Sequence, residues 1–161
     1  MQALAQQFRS RWPLVSLSVS AALLAGAHAF ESFGHMQPCA MCLAQREWHW
    51  GIVLIALVAL VFARAAGASR WVAFVLGLAF LGSFVMAAWH VAVEHHWIAA
   101  QCEVGALGDL TFDVNAELHM PNCDQIAWQM FGISMAGYNA IISFVVALAS
   151  FFVAVAPERE A

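Results

Sequence analysis

The sequence predicts an all-α integral membrane protein, a bundle of four transmembrane helices with both termini cytoplasmic and two cysteine-bearing outer loops. Three observations carry this. Hydrophobic residues make up 63% of 161 and charged residues only 10%, with a mean hydropathy of +0.77, which excludes an ordinary soluble domain. Four stretches, residues 12–30, 42–63, 71–93 and 131–155, reach the roughly 20 apolar residues that a helix needs to cross a bilayer. All six basic residues are arginines, and five of them, Arg9, Arg11, Arg64, Arg70 and Arg159, flank one end of these stretches. Basic residues collect on the cytoplasmic side of a membrane, so that end is the inner one.

Taken in order, residues Met1 to Arg11 form a short polar arm, with Leu4 and Phe8 placed for an interfacial helix. Helix one is rich in Ala, Leu and Ser, and Gly26 and its small neighbours suit close packing. Arg9, Arg11, the apolar run and Ala27-His28-Ala29 also have the layout of a cleavable signal, but the uncharged run is long for one. His28 reads as a packing residue. The first outer loop, residues 31–41, is short and keeps Cys39 and Cys42 near the bilayer surface.

Helix two has to begin near Cys42, because Gly51 to Ala63 alone cannot span. Trp48, His49 and Trp50 fall where an aromatic belt sits. A short inner loop then makes helices two and three antiparallel. Helix three contains Gly77 and Gly82 and ends in Trp89-His90 and Glu94-His95-His96-Trp97, read either as a polar interfacial belt or as a site for a polar ligand head. The second outer loop, residues 94–130, is the only substantial extramembrane piece; it carries no basic residue, and its acidic residues include Glu94, Glu103, Asp109, Asp113, Glu117 and Asp124. Helix four closes a single membrane domain over residues 1–161.

The chemistry centres on Pro38-Cys39-Ala40-Met41-Cys42, with Arg46 four residues beyond Cys42. Thiolate is the reactive form of cysteine, and a helix N-terminus and a fixed cation both stabilise it. At i, i+4 spacing Arg46 shares a helical face with Cys42, and a guanidinium does not deprotonate to escape an apolar setting. A lone arginine on the outer side is therefore a functional candidate. A zinc site would need further Cys or His ligands at matched spacing. A c-type haem would need His where Leu43 stands. Two inert buried cysteines are the remaining bland reading.

Cys102 and Cys123 are separated by twenty residues in the second outer loop. On an oxidising face such a pair forms a disulfide. It is either a staple, worth roughly 3 kcal/mol by loop-closure entropy, or an exchangeable bond; the second dithiol on the same face favours exchange.

Four membrane helices, Cys39-x-x-Cys42 with Arg46, the Glu94-His95 pair and the second cysteine pair together resemble the bacterial disulfide bond formation protein B (DsbB) family over nearly the whole chain. The resemblance implies a quinone-dependent thiol:disulfide oxidoreductase of the bacterial inner membrane, working on its periplasmic side. Its expected partners are a periplasmic thioredoxin-fold dithiol oxidase (DsbA-like), a membrane quinone and the lipid bilayer; its cofactor is ubiquinone or menaquinone. No metal and no nucleic acid are expected. By position, Cys102 is attacked by the partner's thiolate, the released Cys123 attacks Cys39, and Cys42 becomes the thiolate facing quinone. Arg46 stabilises that charge and helps hold the quinone head, with His95 and Met135 as quinone neighbours. The family often has an acidic residue before the arginine, whereas this chain has Gln45, and Glu47 follows. Three other readings stay open: a vitamin K epoxide reductase-like enzyme, a b-type haem protein using histidines such as His28 and His90, and a four-helix scaffold with a structural loop disulfide.

Overall fold

A computed structural model describes residues 2–62, 68–99 and 122–156. It is an all-helical bundle of four helices, each long and apolar enough to cross a membrane. In chain order they are α1 (Gln2–Gly34), α2 (Ala40–Phe62), α3 (Ala68–Glu94) and α4 (Met135–Val155), with two short strands, β1 (Gln129–Met130) and β2 (Ile133–Ser134), just before α4.

Several boundaries differ from the sequence expectation, each for a local reason. Helix one extends past residue 30 to Gly34, so Glu31 is helical and the first outer loop shrinks to residues 35–39. His35, at φ 51°, turns the chain out of the helix, and the Met36 N–H closes the end on the Phe30 carbonyl at 3.3 Å. The end of α3 lies within the His-rich cluster. His96 takes the left-handed conformation at φ 57°, its N–H bonds the Val93 carbonyl at 2.9 Å, and the Trp97 N–H bonds Ala92 at 2.9 Å. That pair is the Schellman termination, made here without the usual glycine. Helix four starts at Met135, not near 131, because Gln129 to Ser134 form a hairpin whose turn residues, Phe131 and Gly132, both have positive φ, 51° and 76°. Two positive values in a two-residue turn match the right-handed twist of the strands. Ser134 then caps α4, accepting from the Gly137 N–H at 3.1 Å.

The helices pack with small side chains inward. Ala56, Ala73, Ala87, Ala136 and Ala147 are buried together with Ser16, Ser20, Ser83, Ser143 and Ser150, while Leu54, Val61 and Phe152 are 64%, 66% and 74% exposed. An exposed apolar surface of this kind is a lipid-facing one, and small residues let helix backbones approach where lipid supplies no hydrophobic drive. The most extensively packed pair is α3 and α4. A Cβ on Gly77 would lie 2.9 Å from the Phe151 ring.

One end of the bundle is fixed by arginines. Arg9 of α1 donates through Nε to the Val153 carbonyl at 3.2 Å and through its guanidinium to the Ala156 carbonyl, and Arg70 of α3 donates to Ala154 at 3.3 Å. The last carbonyls of a helix have no partner within it, so these cations satisfy the end of α4 and oppose its dipole. The starts of α1 and α3 and the end of α4 thus share one end, opposite Cys39. Arg64 and Arg159 lie outside the described residues.

Candidate functional site

Cys39 is the residue immediately before α2, and it caps that helix with its own sulfur. The Leu43 N–H bonds the Cys39 carbonyl at 3.1 Å, and the Cys42 N–H points at Cys39 Sγ at 3.2 Å. This is the geometry of an N-cap, with sulfur in place of the usual oxygen. It brings the two sulfurs to 2.6 Å, with no disulfide between them. The hydrogen bond to the Cys42 sulfur, followed by burial, pushes the Cys39 thiol well above its ordinary pKa.

Arg46 follows on the same face of α2 and turns toward α1. Its Nη1 donates to Glu31 Oε2 at 2.6 Å and its Nη2 to the Ala27 carbonyl at 3.3 Å, with the Arg46 side chain 15% exposed. The sequence reading places Glu31 in a loop; on the last turns of α1 it supplies the carboxylate that orients the guanidinium.

The second cysteine segment meets the first. Cys123 is fully buried and disulfide-bonded, and it belongs to one apolar cluster with Cys39, Met41 and Val93. Cys102 lies outside the described residues.

Beneath the dithiol runs a chain of buried neutral polar groups joining all four helices. Gln45 Nε2 donates to His90 Nδ1 at 2.7 Å, and Gln45 Oε1 accepts from Asn139 Nδ2 at 2.7 Å. Asn139 Oδ1 accepts from His49 Nε2 at 2.8 Å and from Ser143 Oγ at 3.0 Å. His49 Nδ1 lies 3.2 Å from Ser20 Oγ. At the outer end, His90 Nε2 is 3.7 Å from Cys39 Sγ and 4.0 Å from Glu94 Oε1, and the ring also hydrogen-bonds the Cys123 backbone. Ser134 Oγ donates to the other Glu94 oxygen, tying α3 to the cap of α4. Buried polar groups inside a membrane bundle are costly unless satisfied and mark function by default.

The sequence reading missed most of this chain. Trp48 and Trp50 do face outward, but His49 between them turns into the core. His90 is buried, whereas the expected quinone neighbour His95 is exposed and stacks on Trp97 at 5.2 Å. The available signal was the presence of His and Asn at single positions within otherwise apolar runs.

These groups open on a cavity of about 360 Å³ to which all four helices and the segment before α4 contribute, and whose walls include Phe30, Cys42, Arg46, His90, Trp128 and Met135. His95 and His28 do not line it, so His28 and His90 do not converge on a haem. An aromatic wall, Phe30 against Trp128 at 5.0 Å, and a fixed guanidinium fit a flat ring bearing carbonyl oxygens. Cys39, Cys42 and His90 also place three ligand atoms within 4.8 Å of one another. A closed zinc site takes four ligands, and no fourth Cys, His or carboxylate joins that group among the described residues.

Comparison with known families matches residues 9–153 to the family model of the disulfide bond formation protein DsbB. No curated protein and no solved structure matches the chain significantly. The matched region runs from Arg9, which caps the end of α4, through both described cysteine segments, to the last turn of α4, and the chain accordingly belongs to the DsbB family, membrane oxidoreductases of disulfide bond formation.

Proposed function

We propose that this chain is a protein dithiol:quinone oxidoreductase that reoxidises a periplasmic thioredoxin-fold dithiol oxidase of the DsbA kind and delivers the electrons to a membrane quinone. The observation that carries this reading is a free dithiol, Cys39 and Cys42, packed in one cluster with disulfide-bonded Cys123 and open to a cavity that also holds Arg46 and Met135. The exchangeable pair of Cys102 and Cys123 is taken as the family resemblance implies it.

The relay follows from thiol–disulfide exchange, in which a thiolate attacks one sulfur and displaces the other. The partner's thiolate attacks Cys102 and releases Cys123. Cys123 attacks Cys39 of an oxidised Cys39–Cys42 pair and displaces Cys42 as thiolate, a step for which the shared cluster with Cys39 is suited. The partner's second thiol closes its own disulfide at Cys102, leaving that sulfur to resolve the Cys123–Cys39 link. Two electrons and two protons have then passed from the partner to Cys39 and Cys42.

A quinone in the cavity supplies the two-electron acceptor. Arg46, held by Glu31 and Ala27, would hold its head and balance negative charge at Cys42, and Met135 and Trp128 would bound the ring. Ubiquinone and menaquinone share this head chemistry. The reading places the protein in the bacterial inner membrane with both termini cytoplasmic and Cys39 on the periplasmic side, supported by the arginines at the opposite end.

The test is quinone reduction by the purified protein in detergent, with a reduced thioredoxin-fold oxidase as donor. Wild type should turn over, and Cys42→Ser and Cys102→Ser should not. A folded wild type that reduces neither ubiquinone nor menaquinone with such a donor would overturn the proposal.

A further inference from the structure

Disulfide closure between Cys39 and Cys42 requires the Cys39 proton to leave. The sulfur that must lose it is buried, 5% exposed, and hydrogen-bonded to its partner, so water is poorly placed to take the proton. The basic nitrogen at hand is His90 Nε2, 3.7 Å from Cys39 Sγ. We infer that His90 is the proton acceptor for the Cys39 thiol, and that the buried amides of Gln45 and Asn139 let its ring serve as acceptor and donor in turn. The inference rests on the oxidoreductase reading above and assigns a proton-transfer role to a residue that the sequence pattern offers only as part of an aromatic belt, a ligand-head site or a haem ligand.

The hydrogen-bonded chain explains how one imidazole can do both. In the arrangement described, Gln45 Nε2 donates to His90 Nδ1, so a neutral ring carries its hydrogen on Nε2 and donates toward Cys39. Turning the Gln45 and Asn139 amides together reverses the chain without breaking it. Gln45 oxygen then accepts from His90 Nδ1–H, Gln45 nitrogen donates to Asn139, and Asn139 nitrogen donates to His49 Nε2, whose Nδ1–H donates to Ser20. In that state Nε2 carries no hydrogen and faces the thiol. Once it takes the proton, the imidazolium has Glu94 Oε1 at 4.0 Å as counter-charge.

The step balances. Cys39–SH and Cys42–SH lose two protons and two electrons as the S–S bond forms; the electrons and finally both protons reach a quinone, giving quinol. His90 carries the Cys39 proton between these points. The charged and titratable groups around it, among the described residues, include Cys39, Cys42 and Arg46 from the α2 side, Glu94 on its own helix, Glu31 on α1, which is held by Arg46, and, from the segment before α4, disulfide-bonded Cys123, whose backbone the ring hydrogen-bonds, with Asp124 next to it. From α4 it meets only the neutral Asn139, through Gln45.

The test uses the full chain in detergent with Cys42, Cys102 and Cys123 replaced by Ser, so that Cys39 is the single thiol, and follows its alkylation by iodoacetamide from pH 5 to 10. With His90 present, a thiolate–imidazolium pair should give a reactive limb near neutral pH. His90→Gln keeps a hydrogen bond to position 45 but holds no extra proton, and should remove that limb and slow alkylation at pH 7 at least tenfold. Gln45→Glu, which fixes the hydrogen on Nδ1 and favours the imidazolium, should move the limb to higher pH, a shift that loss of packing would not produce. In the otherwise native chain, His90→Gln should slow single-turnover quinone reduction about 100-fold, within the range of general-base catalysis. Superimposable pH profiles with and without the His90→Gln substitution overturn the inference even where wild type reduces quinone. A neutral limb in the single-thiol chain together with a wild type that reduces no quinone overturns the oxidoreductase reading while leaving the His90–Cys39 proton exchange standing.

Discussion

Replacing Asn139 by Leu removes the amide through which α4 holds the polar chain. The side chains are of similar size, so the change is mainly one of hydrogen bonding. Three bonds are lost: Nδ2 to Gln45 Oε1 at 2.7 Å, His49 Nε2 to Oδ1 at 2.8 Å, and Ser143 Oγ to Oδ1 at 3.0 Å. On values from soluble proteins, orphaning buried partners costs about 1–3 kcal/mol each, or roughly 3–9 kcal/mol in all. Inside membranes the mean is about 0.6 kcal/mol per interhelical bond, because partners are found even when the native one is lost. Two local features favour the smaller scale. Ser143 and His49 each keep a bond to Ser83, at 3.2 and 3.3 Å, so only Gln45 Oε1 is left without its partner. The expected loss is therefore about 2 kcal/mol, read as a lower midpoint of SDS-induced unfolding in mixed micelles. A double-mutant cycle with Gln45→Leu isolates the link: the pair together should cost about 1 kcal/mol less than the sum of the singles. Additivity within a few tenths of a kcal/mol would show that the two amides are not coupled, and the chain as described would have to be abandoned.

Two further outcomes follow from separate parts of the bundle. Glu31→Gln should keep the fold and weaken quinone binding about fivefold, since a charge-assisted bond worth about 1.5–3 kcal/mol when buried is reduced to roughly 1 kcal/mol by the partial exposure of Glu31; titration of quinone into wild type and variant checks this, and equal affinities would detach Glu31 from the site. Gly77→Leu inserts a side chain where even a Cβ would meet Phe151 at 2.9 Å, and should destabilise the bundle by about 1–3 kcal/mol through overpacking; an unchanged SDS midpoint would mean that α3 and α4 do not approach as described.

What could be read in the sequence, and what could not, divides along the range of the interactions. Four spans are legible because each is a continuous apolar run, and the Cys39, Cys42 and Arg46 face is legible because one helical turn relates its members. The helix ends are harder. The termination at His96 uses histidine where glycine is the usual marker, and the hairpin turn at Phe131-Gly132 lacks the Asn-Gly or Asp-Gly signature, so the apolar pattern alone starts α4 too early. The pairing within the polar chain is not legible. Gln45 reaches His90 and Asn139 across 45 and 94 positions of sequence, and no local period reports which buried face meets which. Even the choice between His90 and His95 turns on five residues of helical phase: one points under the dithiol, the other past the end of α3.

The neutral residue at position 45, which departs from the acid common before the family's arginine, acquires a reason from these contacts. A carboxylate at 45 would sit 7% exposed among helices, where an ionised group is costly and an acid beside Arg46 would compete for it. In this chain the guanidinium takes its carboxylate from Glu31, whose side chain is 36% exposed at the rim. Position 45 is thereby free to be an amide, and only an amide can present oxygen on one side and nitrogen on the other to link His90 with Asn139. The same relocation keeps the interior neutral below the dithiol, from Gln45 through Asn139 and His49 to Ser20, so a proton arriving at His90 meets dipoles that can turn and a single carboxylate, Glu94, that can hold it. Exchanging the two positions, Gln45→Glu with Glu31→Gln, separates the roles. If an acid near Arg46 were all the site required, the double variant would bind quinone and close the disulfide like wild type. If position 45 serves His90, quinone affinity should return toward wild type while the pH profile of Cys39 alkylation stays displaced to higher pH.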